Sequence, residues 1–201
     1  MTVLTPRRAL LTVSLALLPA LALAHPGSSG HDTTTFALGL THPFTGIDHL
    51  LAMLAIGLWA AQLGGRMRWA VPASFVLLLL LGAALVPRTG VPAGGLNAVE
   101  QGIAASVFVC GLLLAFAVRL PLAACMAIAG GFALLHGYAH AAEAPGQAGL
   151  AGYFAGFTLS TAALHALGFC TAFWLARRRA AWAVRWAGAV VVVCGAALLA
   201  V

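Results

Sequence analysis

Six apolar stretches, each close to the length of a membrane-crossing helix, constrain this chain more than any other feature. They fall at approximately 43–63, 69–86, 97–118, 121–141, 149–175 and 182–200. A hydrocarbon layer of about 30 Å takes about 20 helical residues to cross. Within it every backbone N–H and C=O must find a partner inside the protein, and a helix provides those partners within each segment. Composition agrees, with 63% of the 201 residues hydrophobic and 7% charged. Soluble domains carry about 45–50% apolar and about 25% charged residues. The expected fold class is an all-α polytopic membrane bundle of six transmembrane helices, forming one domain over residues 25–201.

The interruptions carry ordinary helix-ending residues: "GGRMR", "PRTGVPAGG", "RLP", "APGQAG" and "RRR" in chain order. Residues 1–24 read as a cleaved signal peptide. Arg7 and Arg8 form its basic start, "ALLTVSLALLPAL" its apolar core and Ala22-Leu23-Ala24 its cleavage site. His25 then begins the mature chain, and "HPGSSGHD" reads as a polar leader.

All ten basic residues are arginines. Without lysine the chain has no Walker A lysine and no Schiff-base lysine. The arginines lie singly or in short clusters between apolar segments, which suits a topology signal and not a nucleic-acid surface. With the mature N-terminus outside, Arg66, Arg68, Arg119, Arg177, Arg178, Arg179 and Arg185 are cytoplasmic and Arg88 is not. That is a clear positive-inside bias. The expected location is a bacterial inner membrane, with the mature N-terminus periplasmic. Cys110, Cys125, Cys170 and Cys194 all lie in apolar runs without C-x-x-C spacing, and read as buried free thiols.

Against this background "THPFTGIDHLLAM", residues 41–53, places two histidines and an aspartate at the start of the first span. His42-Pro43 supplies a break, because proline suits a first helical turn and keeps its predecessor out of helix. A helix counted from Pro43 puts His42, His49 and Met53 on one face. Asp48 then points about 100° from His49. It is free to orient an imidazole on a neighbouring helix or to face the flank of a cavity. In the fourth span "LLHGYAHAAE" sets His136, His140 and Glu143 at i, i+4 and i+7, on one stripe. Both clusters fall in the same outer layer of the membrane. Ionisable groups in such places face a bundle interior or a water-filled path. Imidazole with carboxylate suits nickel, cobalt, zinc or copper, whereas magnesium and calcium prefer oxygen alone.

These residues carry a resemblance. The chain resembles the HupE/UreJ family of nickel and cobalt permeases. The first-span pattern is present as His42, Asp48 and His49, and the fourth-span pattern as His136-Gly137, His140 and Glu143. "EQGIAASVFVCGLLLA" and "GYFAGFTLSTAALHALG" are similar to the family as well. Leu135 stands where the family often has phenylalanine, and Ala141 where it often has glycine. The resemblance implies a permease with a cleaved signal and six spans. It carries Ni2+ or Co2+ as cargo, keeps no permanent cofactor and performs no catalysis.

Other polar residues extend the candidate path. Glu100, three residues after Asn97, is either part of a helix cap or an outer ligand. His165, beside Ser160 and Thr161 in the fifth span, is either a deeper station on the path or a hydrogen-bond partner of a neighbouring helix. Met53 reads as packing. Competing readings are a membrane haem protein with paired imidazoles, a membrane zinc hydrolase, and a subunit of a larger assembly. Membrane lipid and the divalent ion are the expected partners, nucleic acid is not, and a homo-oligomer or a metalloenzyme-maturation system are further ones.

Overall fold

The computed structural model describes residues 33–86, 95–144 and 149–200, all helices and short turns. The expected signal peptide, the leader and the loop holding Arg88 lie outside the described residues. Helix α1 spans Thr33–Thr41 and α2 spans Ile47–Leu63, with a single 3-10 turn at His42–Phe44 between them. They are followed by α3 (Met67–Ala84), α4 (Gly95–Ala115), α5 (Leu122–Glu143), α6 (Leu150–Arg177) and α7 (Trp182–Leu199). Five of these, α3 to α7, are long and apolar enough to cross a membrane, and the α1–α2 pair passes the same test as one broken span. The protein is an all-helical polytopic membrane bundle.

The break in the first span differs from a helix running unbroken from residue 43. The pair is bent by 77°. Pro43 has no N–H to continue a helix and disfavours helical backbone at His42. The Thr45 hydroxyl then donates to the His42 carbonyl at 2.7 Å, and the Thr45 N–H donates to the same oxygen at 3.0 Å. Gly46 follows in an extended conformation as the N-cap of α2. His42 therefore stands outside the helix that carries His49. The shared face expected for the two does not exist as a helical stripe.

Helix α6, 28 residues and so about 42 Å long, is the spine of this half of the bundle. Both α1 and α2 pack along it, while α3 packs on α5 and α4 on α7. In lipid no hydrophobic force draws helices together, so close backbone approach and van der Waals contact must do it. Two glycines make this concrete. A Cβ on Gly57 would collide with the His165 backbone, and one on Gly137 with the Leu79 backbone. Gly137 lies between the two histidines of α5, so its contact with α3 also fixes where they point. Overpacking an interior costs about 1–3 kcal/mol or more. Gly137→Ala is accordingly expected to lower the melting temperature in detergent by several degrees. An unchanged melting temperature would contradict this close contact.

The α2–α3 connection is tight. Gly64 and Gly65 adopt φ values of 68° and 52°, a left-handed conformation that glycine tolerates without strain. At the same end of the bundle, carbonyls at and just beyond the end of α4 receive side-chain donors. Trp59 Nε1–H donates to Val118, Gln62 to Leu114 and the Arg185 Nε–H to Ala115. The Ala115 carbonyl is one of those that a helix end leaves without an intrahelical partner. The core is apolar and filled by Trp59, Phe75, Phe157, Met53 and Ile56. Met53 belongs to that core, as expected for packing. Outward faces carry Leu77, Leu167, Trp182 and Trp186, suited to acyl chains and their interfaces. All four cysteines are free. Cys110 and Cys125 are buried as expected, but Cys194 is half-buried and Cys170 faces outward.

Candidate metal centre

Among the described residues, the arginines and the carboxylates divide between the two ends of the bundle. Arg66, Arg68, Arg119, Arg177, Arg178, Arg179 and Arg185 lie at the turns after α2, α4 and α6. Asp48, Glu100 and Glu143 lie at the other end, at the start of α2, the start of α4 and the end of α5. Here the chain has gathered four imidazoles. His42 comes from the 3-10 turn, His49 from the first turn of α2, and His136 and His140 from the last turns of α5. Ring centroids are 4.3 Å apart for His49 and His140, 4.8 Å for His49 and His136, and 4.5 Å for His42 and His140. His136 and His140 are fully buried and His49 nearly so.

These side chains form two sets of possible ligands. One holds His49, His136 and His140, and the other His42, His140 and Glu143. In each, one donor atom per residue lies within 4.8 Å of the others. His140 belongs to both. The second set is the more exposed. It opens on a cavity of about 650 Å³ lined also by Asp48, Glu100, Asn97 and Gln101.

Hydrogen bonds assign the tautomers of two rings. Asp48 Oδ1 accepts from the backbone N–H of His49 at 2.8 Å and lies 2.7 Å from its Nδ1. A carboxylate only accepts, so Nδ1 carries the proton and Nε2 presents its lone pair. Ser106 Oγ donates to the Ile103 carbonyl at 2.6 Å and lies 3.1 Å from His136 Nε2. With its one proton committed, the hydroxyl can only accept from that nitrogen, which leaves Nδ1 of His136 as the lone pair. Both lone-pair atoms are buried and have no hydrogen-bond partner. A ligating histidine held through its second nitrogen by a carboxylate or hydroxyl is the usual arrangement around a metal. His140 differs, because neither of its ring nitrogens has a partner. An unpaired buried polar atom costs about 1–3 kcal/mol. Several in one place are destabilising unless a cation engages them.

Placement of the remaining candidates is mixed. Asp48 was open to serving another helix, and instead binds the imidazole next to it in sequence. Asn97 does not cap α4, because the helix has already begun at Gly95. Glu100 is exposed and lines the cavity mouth. His165 lies outside both donor sets. It is buried, and its ring stands edge-on to Phe75 at 5.1 Å. Sequence reasoning missed four contributors. Ser106 fixes His136, Phe157 packs on His140 at 4.3 Å, Tyr153 packs on His42 at 5.9 Å, and Phe75 lies 5.7 Å from His136. Two of the stretches noted for their resemblance contain Ser106, Tyr153 and Phe157. Nothing in their local spacing singled out those residues.

Comparison with known proteins agrees with these motifs. The family described as HupE / UreJ protein matches residues 13–198. Protein HupE of Rhizobium leguminosarum bv. viciae is 41% identical over 188 residues, which is 94% of this chain and 95% of that protein. No solved structure matches. Matched over nearly its whole length, with its histidine motifs converging at one end of a membrane bundle, the chain belongs to the HupE/UreJ family.

Proposed function

We propose that this protein is a permease for a divalent transition-metal ion, nickel or cobalt, and that the ion crosses through the two donor sets in turn. The observation that carries the reading is His140, shared between an outer set with a carboxylate and a deeper set of imidazoles only. The cavity lined by Asp48, Glu100 and Glu143 collects the cation at the mouth. His42, His140 and Glu143 replace part of its water shell. His140 then turns to the deeper pair, His49 and His136, whose lone pairs are already aimed by Asp48 and Ser106.

A neutral imidazole has one lone pair, so His140 serves one set at a time. No hydrogen bond fixes its tautomer, and exchanging the proton between its nitrogens changes which side it binds. Conduction needs sites that are favourable yet easily left. Two three-donor sets with a common member provide that, whereas a closed tetrahedral cage would trap the ion. Haem is a poorer fit. A macrocycle between axial imidazoles needs a flat slot, and the His49 ring stands only 4.3 and 4.8 Å from those of His140 and His136.

The seven arginines at the far end put that end in the cytoplasm under the positive-inside rule. Metal then enters from the periplasm, the α1–α2 pair counts as one of six spans, and the protein is a transporter and not an enzyme. The test is uptake of radioactive nickel and cobalt by cells. His49→Ala and His136→Ala, each confirmed in the membrane, are expected to import at background level. Parental uptake by either variant would refute the route.

A further inference from the structure

We infer a third, innermost ion station at His165 and Thr161 on α6, which takes the divalent transition-metal ion after it leaves the three-imidazole set. This rests on the permease reading. Its support is the state of the polar atoms along α6. Neither ring nitrogen of His165 has a hydrogen-bond partner, and neither does the hydroxyl of Thr161 or of Thr158. His165 is 4% exposed and Thr161 fully buried. Residues 158, 161 and 165 follow i, i+3 and i+7, so the three form one stripe on the helix.

Unsatisfied hydroxyls are not the general condition of this bundle. Ser160, between the two threonines, donates back to the Gly156 and Phe157 carbonyls. Ser74 and Ser106 do the same toward Val71 and Ile103. A buried hydroxyl in a helix readily takes this local option, and Thr158 and Thr161 do not take it.

Position supports the same assignment. Phe157 touches His140, and His165 follows it by eight residues, about 12 Å further along α6 toward the arginine end. The Phe75 ring packs against both His136 and His165, at 5.7 and 5.1 Å. His165 is therefore separated from the three-imidazole set by one aromatic ring. On its other side, His165 borders an apolar groove of about 660 Å³ on the outward face between α3 and α6, lined also by Trp69, Leu77 and Cys170. One imidazole and one hydroxyl give incomplete ligation, completed by water. Such a site binds in passing, which suits the step before release.

The experiment is nickel uptake into liposomes containing the purified full-length protein, over a range of external nickel concentrations. His165→Ala is expected to lower the maximal rate at least about tenfold and to leave the half-saturating concentration within about twofold, because the outer sets are intact. Thr161→Val, nearly the same shape without the hydroxyl, is expected to lower the maximal rate about threefold. His165→Cys restores a metal-binding group of softer character. It is expected to recover transport relative to His165→Ala and to shift preference from nickel toward cadmium. A structural histidine would produce no such change in preference. Parental maximal rate in folded His165→Ala, or a cysteine variant no more active than the alanine one, overturns the inner station and leaves the permease reading standing. If His165→Ala does not fold, Thr161→Val decides, and a parental rate overturns the station. Absence of nickel and cobalt transport by the parent overturns the permease reading and this inference with it.

Discussion

His140→Ala is expected to abolish nickel and cobalt uptake, by a factor beyond the roughly 10–100-fold typical of losing an outer-shell partner of a metal ligand. His140 is common to both donor sets, so its loss leaves two protein donors in each. The cation must then keep most of its water through a segment where Phe157 and Phe75 pack against the histidines. The same residue makes an unusual stability prediction. Both of its nitrogens are buried and unpaired, at about 1–3 kcal/mol each. His140→Leu replaces the ring with an apolar group of similar size. In detergent with a chelator present, this variant is expected to melt at or above the temperature of the parent while importing nothing. Added nickel should raise the melting temperature of the parent, since a ligand at 100 times its Kd stabilises by about 2.7 kcal/mol. It should leave the leucine variant unmoved. A leucine variant that is less stable yet imports metal would show a packing role.

The second large effect concerns the two residues that aim the ligands. Asp48→Asn and Ser106→Ala are each expected to raise the half-saturating metal concentration about 10–100-fold while changing the maximal rate little. Asp48 holds His49 through Nδ1–H, and Ser106 holds His136 through Nε2–H. Without these bonds each ring populates the wrong tautomer and turns away from its partner. An asparagine can still accept from Nδ1–H but loses the charge that favours that proton, so its effect should be the smaller of Asp48→Asn and Asp48→Ala. Ser106→Thr keeps the hydroxyl and is expected to restore most of the affinity. The two losses act on imidazoles 4.8 Å apart in one donor set, so the double variant is expected to depart from the sum of the single effects. Saturation curves for uptake check all of this. Equal effects on the maximal rate alone would assign these residues elsewhere.

The helical membrane class and the separation of arginines from carboxylates along the bundle were legible because they depend on composition and on punctuation. Gly64-Gly65, Pro121 and the arginine clusters mark helix boundaries here, and α2 to α7 lie within a few residues of the helices expected, whereas α1 was not expected at all. The stripe on α5 was legible for the same reason, since His136, His140 and Glu143 sit on an unbroken helix where spacing fixes direction. The first motif was harder. Helical spacing assumed that His42 and His49 share a helix, whereas Pro43, Thr45 and Gly46 bend the chain between them. Their rings still approach to 6.2 Å, because the bend folds the turn over the start of α2. Adjacent residues on a helix do not ordinarily face each other. At a first turn, however, free N–H groups draw a carboxylate back along the backbone, and Asp48 meets His49 there. Ser106 and Phe157 were not legible at all. Their roles come from how α4 and α6 pack beside α5, a long-range outcome that no local spacing encodes.

X-ray absorption at the nickel edge, on the purified protein loaded with one equivalent of nickel, tests the central claim most directly. Imidazole rings give a distinctive outer-shell scattering pattern that water and carboxylate lack. The account predicts a mixed nitrogen and oxygen shell with two or three imidazoles, reduced by one ring in His136→Ala. A spectrum of oxygen ligands only, unchanged in that variant, would contradict it.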